Sequence, residues 1–287
     1  MSIAILAIFC CFLQSYKFLG KNTAKHCKLF HNFAGNCKNM LKEERFDYIL
    51  KKLQTDHKVL HTELSNDLQV SEDTVRRDLE VLAQNGLLIK VRGGAIPHSP
   101  HPYNFNERIG IHEDDKKAIA AKALSFLRNG QTIIMDGGTS TYALVKLFPP
   151  SLQLTVITPS IPIAMQLMEH PGVEVILTGG RIFKSSQVTA GIDTIRMLEK
   201  LRADICFMGV CSLHTEVGVT GPDMDEVAVK NVMVQSANRV IALVTGDKMG
   251  TAEPYKVCNI TAMDTIITDE AGLTLASPYR QLGINVI

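Results

Sequence analysis

The sequence predicts an α/β protein in two unequal parts, a small helical unit closed by a β wing and a larger open α/β sheet. Three observations carry this. Between Thr62 and Ile96, apolar residues recur at helical spacings on both sides of a tight turn and lead into a Gly-Gly pair. From residue 116 onward, short β-rich runs alternate with helical patterns, which implies parallel pairing. At 287 residues, with 46% hydrophobic and 21% charged residues, the chain has room for two domains of ordinary globular composition.

Residues 1–39 stand apart. They hold five lysines and no acid, so the overall charge of +1 hides 25 basic against 29 acidic residues from Met40 onward. The apolar run from Ile3 to Leu13 falls short of the roughly 20 residues a membrane helix needs. It also lacks the preceding positive charge of a signal peptide. The expectation is therefore a leader outside the folded protein, with translation starting at Met40. Cys10, Cys11, Cys27 and Cys37 show no ligand-like spacing. Cys206, Cys211 and Cys258 sit among apolar residues and read as small core hydrophobes. Nothing here asks for an oxidising compartment, so a cytoplasmic location is expected.

Residues 40–96 form the first predicted domain. The run after Met40 opens an amphipathic helix with Ile49, Leu50 and Leu53 on its apolar stripe. Leu64, Leu68, Val70, Val75, Leu79 and Leu82 would share a core. Ser71 sits where an N-cap is needed, acids follow it, and Gly86 closes the helix. The domain carries nine basic and ten acidic residues, so bulk charge does not announce a nucleic-acid binder. Placement does. Arg76 and Arg77 lie early on a capped second helix, where base edges are reached in a helix-turn-helix, and Lys90 and Arg92 flank the wing. Arginine can grip guanine through two hydrogen bonds. Ser71, Thr74, Lys90 and Arg92 suit phosphates, which position a domain without reading sequence. Asp78 and Glu80 should face away or pair within the domain.

Residues 97–115, rich in Pro, His, Asn and charge, read as a linker with a helix starting near Asp114. His98, His101 and His112 have no cysteine or second cluster beside them, and solvated histidines are expected rather than a metal site.

Residues 116–287 form the second domain. Strands are expected at 132–135, 155–158, 174–177, 205–210, 240–244, 265–268 and 285–287. In such sheets ligands bind beyond the carboxyl ends of strands. One such end carries Asp136, two glycines and three hydroxyl residues before a helix, an arrangement that suits an anion as well as a plain capped turn. It is neither a Walker loop nor a dinucleotide turn. A second strand ends at Gly179 and Gly180, with Arg181 following, and Lys248 follows a third.

The run VSEDTVRRDLEVLAQNGLLIKVRGGA resembles the DNA-binding domain of the DeoR family of bacterial sugar-metabolism repressors, in which a Val-Ser-x-x-Thr-x-Arg-Arg-Asp-Leu helix precedes a Gly-Gly-Ala wing. The resemblance spans about Met40 to Ile287. It implies a winged helix-turn-helix followed by an open α/β sensor domain resembling ribose-5-phosphate isomerase. The family's phosphate-binding turn is matched by Asp136, Gly138, Thr139, Ser140 and Thr141, its Thr-Gly-Gly turn by Thr178, Gly179 and Gly180, and its Glu-x-x-x-Lys helix by Glu226 and Lys230. Where the family writes Asp-Ser-Ser-Lys, this chain has Thr245, Gly246, Asp247 and Lys248, so only the lysine is kept. The expected partners are double-stranded operator DNA and a phosphorylated sugar effector, with no cofactor, metal or membrane. A homodimer or homotetramer is expected because palindromic operators require protein symmetry. The alternative is a sugar-phosphate isomerase or deaminase using Asp136, Glu226 and Lys248 as acid, base and phosphate anchor.

Overall fold

The computed structural model describes residues 40–56, 58–99 and 104–287. The expectations for the leader and for His101 lie outside the described residues.

The first domain is three helices and a small sheet: α1 (Lys42–Asp56), β1 (Val59–Leu60), α2 (His61–Leu68), α3 (Glu72–Gln84), β2 (Ile89–Val91) and β3 (Gly94–Ile96). Ile49, Leu53, Leu64, Leu68, Val75, Leu79 and Leu82 are buried together, with Val70 packed at the edge of their cluster. Gln69 turns left-handed between α2 and α3, and Gly86 does the same just past α3 at φ +69°. The wing depends on two glycines with different jobs. Gly93 takes the positive φ of the turn, whereas a Cβ on Gly94 would sit 1.8 Å from the Val59 carbonyl oxygen across the β1–β3 pairing.

The segment 97–115 is more than a linker. Helix α4 (Phe105–Ile109) forms within it, because Phe105 supplies a buried apolar anchor amid the polar residues. Its ring meets Tyr142 edge-on at 5.8 Å, and its amide donates to the Ser185 carbonyl at 2.7 Å. Helix α5 (Glu113–Leu124) follows.

Seven parallel strands then build the main sheet: β4 (Gln131–Met135), β5 (Leu154–Thr158), β6 (Val173–Leu177), β9 (Ala203–Gly209), β12 (Ala237–Leu243), β14 (Thr265–Ile267) and β15 (Asn285–Val286). Their order is β15-β14-β12-β9-β4-β5-β6. Side chains alternate between two cores: Ile133, Met135, Ile205 and Phe207 enter one, and Ile134, Cys206 and Met208 enter the other. Both faces are therefore buried, which is why these strands read as near-continuous apolar runs. Helix α5 covers the first face together with α6 (Thr139–Val145) and α7 (Ile161–Leu167), whereas α8 (Ile192–Leu198) and α9 (Met224–Gln235) cover the second. The chain goes outward from β4 through β5 to β6, then returns to place β9 on the other side of β4. The β4/β9 boundary is thus the point where strand order reverses, and where open α/β sheets leave a crevice.

Two smaller antiparallel units were not expected from the sequence. One is the hairpin β7 (Arg181–Phe183) and β8 (Val188–Ala190); the other joins β10 (Ser212–His214), β11 (Gly218–Gly221) and β13 (Tyr255–Cys258). Among the described residues, no helix is long and apolar enough to cross a membrane.

Candidate functional site

The face expected to read DNA is built around a buried ion pair. Asp78, 2% exposed, accepts two hydrogen bonds from Arg45, at 2.6 and 3.1 Å, and so locks α3 onto α1. With Asp78 turned inward, its neighbours Arg76 and Arg77 both point to solvent. Arg76 lies 3.6 Å from Glu72 and 4.0 Å from Asp73 on its own helix. Arg77 has no ion pair among the described residues. Ser71 caps α3, its hydroxyl accepting from the Thr74 amide at 3.2 Å, and the two hydroxyls lie 3.0 Å apart. At the wing, Arg92 is exposed in the turn, while Lys90 is ion-paired with Glu80, which holds the Glu80 carboxyl below its ordinary range. The pairing expected of Asp78 and Glu80 is therefore present. Lys90, expected to meet phosphate, meets a carboxylate in the free protein.

The second site is a cavity of about 190 Å³ at the β4/β9 reversal. Its floor is two backbones in contact, since a Cβ on Gly209 would lie 2.9 Å from the Gly138 Cα. Asp136 lies beneath this floor. Its carboxylate accepts from the Gly209 amide at 2.9 Å and forms an ion pair with Lys230, which also donates to the Gly209 carbonyl at 2.8 Å. Burial works against the Lys230 charge, but Asp136 outweighs it and lifts the ammonium above the ordinary lysine pKa. Of the residues singled out by sequence, Gly138, Thr139, Ser140, Glu226, Lys230 and Lys248 line the cavity.

The others do different work. Asp136 fixes Lys230 from below. Thr141, fully buried, donates to the Asp136 carbonyl at 2.7 Å and accepts from the Gly138 amide at 2.9 Å, so it shapes the turn. Gly179 and Gly180 lie off the cavity: the Gly179 carbonyl accepts from Thr194, and Gly180 packs against the same side chain, so this turn anchors α8. Arg181 pairs with Asp225 at the surface.

Several lining residues were missed. Arg108 comes from α4, hidden in a stretch whose composition suggested only a linker. Phe183, Ser185 and Ser186 come from the unexpected hairpin. Cys211, taken for a core residue, lines the cavity and is only partly buried.

Lys248 is 5% exposed, and its ammonium makes no hydrogen bond or ion pair among the described residues. Burial accordingly pushes its pKa below the ordinary lysine value. The Arg108 Nε is likewise buried without a hydrogen-bond partner among the described residues. Across the cavity, burial raises the Glu226 pKa, partly offset by a hydrogen bond from the Ser186 hydroxyl. The cavity thus has a cationic side with donors to spare and a hydroxyl-and-carboxyl side that can hydrogen-bond a polyol.

Residues 45–100 match the DeoR-like helix-turn-helix domain, and residues 111–270 match the DeoR C terminal sensor domain. HTH-type transcriptional regulator GolR of Listeria innocua is 35% identical over 246 residues, covering 85% of this chain and 97% of GolR. HTH-type transcriptional repressor GlcR of Bacillus subtilis is 32% identical over 232 residues, covering 80% of this chain and 89% of GlcR. Among solved structures, ribose 5-phosphate isomerase A of Methanocaldococcus jannaschii aligns with a TM-score of 0.35 at 17% identity, covering 48% of this chain and 54% of the isomerase.

Proposed function

The chain belongs to the DeoR family of helix-turn-helix transcriptional regulators, and from that premise we propose that it represses a carbohydrate-metabolism operon until a phosphorylated sugar releases it. It is a regulator, like the relatives it matches, and not an enzyme of related fold.

The observation that carries the effector reading is Lys248, a nearly buried residue whose ammonium makes no hydrogen bond or ion pair among the described residues, at a cavity it shares with Arg108 and Lys230. A buried cation without a counter-ion is costly unless an anion completes it. A phosphoryl group supplies oxygens for all three cations, with Thr139 and Ser140 beside them. The sugar hydroxyls would then lie toward Glu226 and Ser186. For DNA, Arg76 and Arg77 read base edges, and Ser71, Thr74, Lys90 and Arg92 hold phosphates. Because one winged domain grips few phosphates, a homodimer or homotetramer on a symmetric operator completes the reading.

An effector releases operator only if it binds the free conformation better than the DNA-bound one. The test is operator binding by the full chain titrated with a panel of sugar phosphates, each beside its unphosphorylated sugar. Loss of operator binding with a sugar phosphate and not with the parent sugar is the expected result. No response to any member of the panel overturns the effector reading.

A further inference from the structure

The chain leaving the wing does not run free to the sensor domain. Pro97 accepts a hydrogen bond from the Ala252 amide at 3.2 Å. The Ser99 amide donates to Glu253 Oε1 at 3.1 Å, and His98 Nδ1 lies 3.4 Å from Glu253 Oε2. The Glu253 side chain is fully buried, and its own amide donates to the Thr220 hydroxyl at 2.8 Å. A buried carboxylate thus holds the residues that directly follow β3.

Glu253 lies five positions after Lys248, the unpartnered cation of the cavity. The strap between them has little slack. Met249, Thr251 and Ala252 are buried. Gly250 donates to the Leu213 carbonyl at 2.7 Å and to the Tyr279 hydroxyl at 3.2 Å. The Thr251 hydroxyl closes back on the Lys248 carbonyl at 2.8 Å. One end of a short, packed segment therefore faces the cavity, and the other grips the exit of the DNA-reading wing.

We propose that residues 248–253 are the relay between the two sites: an anion that engages Lys248 repositions this strap, and Glu253 passes the change to Pro97–Ser99. The inference rests on the effector reading of the cavity. Packed segments shift between discrete arrangements rather than deforming smoothly, so a small displacement at Lys248 reaches Glu253 instead of dissipating.

Inorganic phosphate is the probe. Thermal melting of the full chain reports binding, and amide hydrogen exchange reports the response at His98 and Ser99. In the wild type, phosphate should raise Tm and change exchange at these two amides several-fold. In Glu253→Ala, the phosphate-induced rise in Tm should persist while the change at His98 and Ser99 disappears. If Glu253→Ala fails to fold, E253Q decides the matter: it keeps the shape but loses the charge facing His98, and should give a reduced response. A full response at His98 and Ser99 in the variant, or phosphate binding in the wild type without any response there, overturns the relay while leaving the effector reading intact. Absence of any phosphate-induced rise in wild-type Tm overturns both.

Discussion

Replacing Lys248 with methionine should move stability and ligand response in opposite directions. Lys248 is 5% exposed, and burial, with the charges of Arg108 and Lys230 adding to it, holds its pKa below the ordinary value. Desolvating an unpaired charge costs several kcal/mol, and methionine fills similar space with a flexible apolar chain. The ligand-free variant should gain on the order of 1 kcal/mol, or about 2–4 °C in Tm for a protein of this size. The same change removes a charge-assisted bond to the anion, worth roughly 1.5–3 kcal/mol. Phosphate affinity should fall by about 10- to 100-fold. Melting curves with and without inorganic phosphate read both effects. With phosphate at about 100 times the wild-type Kd, the wild type should gain about 2.7 kcal/mol, and the variant only about 0.4–1.4 kcal/mol. A variant that melts below the wild type without ligand, yet keeps the full phosphate response, would refute this role for Lys248.

Three further outcomes are expected. Arg77→Ala should cost about 1–3 kcal/mol of operator discrimination, whereas Lys90→Ala should weaken all DNA binding alike and lower the salt slope by about one; gel shifts at several salt concentrations separate the two. Asp78→Ala strands Arg45 in a mostly buried position, and should destabilise the DNA-binding domain by roughly 3–5 kcal/mol in a denaturant melt. Burial first, then the charges of Lys248 and Arg108, push the Lys116 pKa down to about 8. This folded value lies below the unfolded one of about 10.4, so the unfolded chain retains the proton longer and folding gains as pH rises between them. Lys116→Met should flatten that rise in Tm against pH; an unchanged profile would count against the assignment.

Legibility followed the length scale of the interactions. The seven parallel strands were readable because burial on both faces writes itself as β-branched runs such as TIIM and LTVIT. The recognition helix was readable because Ser71 and Gly86 mark its ends by local chemistry. The cavity was only half readable. Its turn from Gly138 to Ser140 is local, but the ion pair between Asp136 and Lys230 joins residues 94 apart, which no spacing discloses. Arg108 was hidden because one aromatic anchor, Phe105, outweighs the polar composition around it. The strands of the hairpin are three residues each, too short for alternation to show. Gly179 and Gly180 were persuasive as a motif, yet their turn serves the packing of Thr194.

The ion pairs on the reading surface bear on how such a protein searches a genome. In the free state Arg76 rests beside Glu72, and Lys90 beside Glu80. If Arg76 and Lys90 contact DNA as proposed, any stretch of DNA must displace these carboxylates before it gains the cations, and a random sequence returns only phosphate contacts for doing so. An operator adds base contacts to the exchange. Self-neutralisation therefore lowers both affinities by the same factor and leaves their ratio to the base contacts. When competing sites number about a million or more, that ratio, and not raw affinity, decides how many molecules stand at the operator.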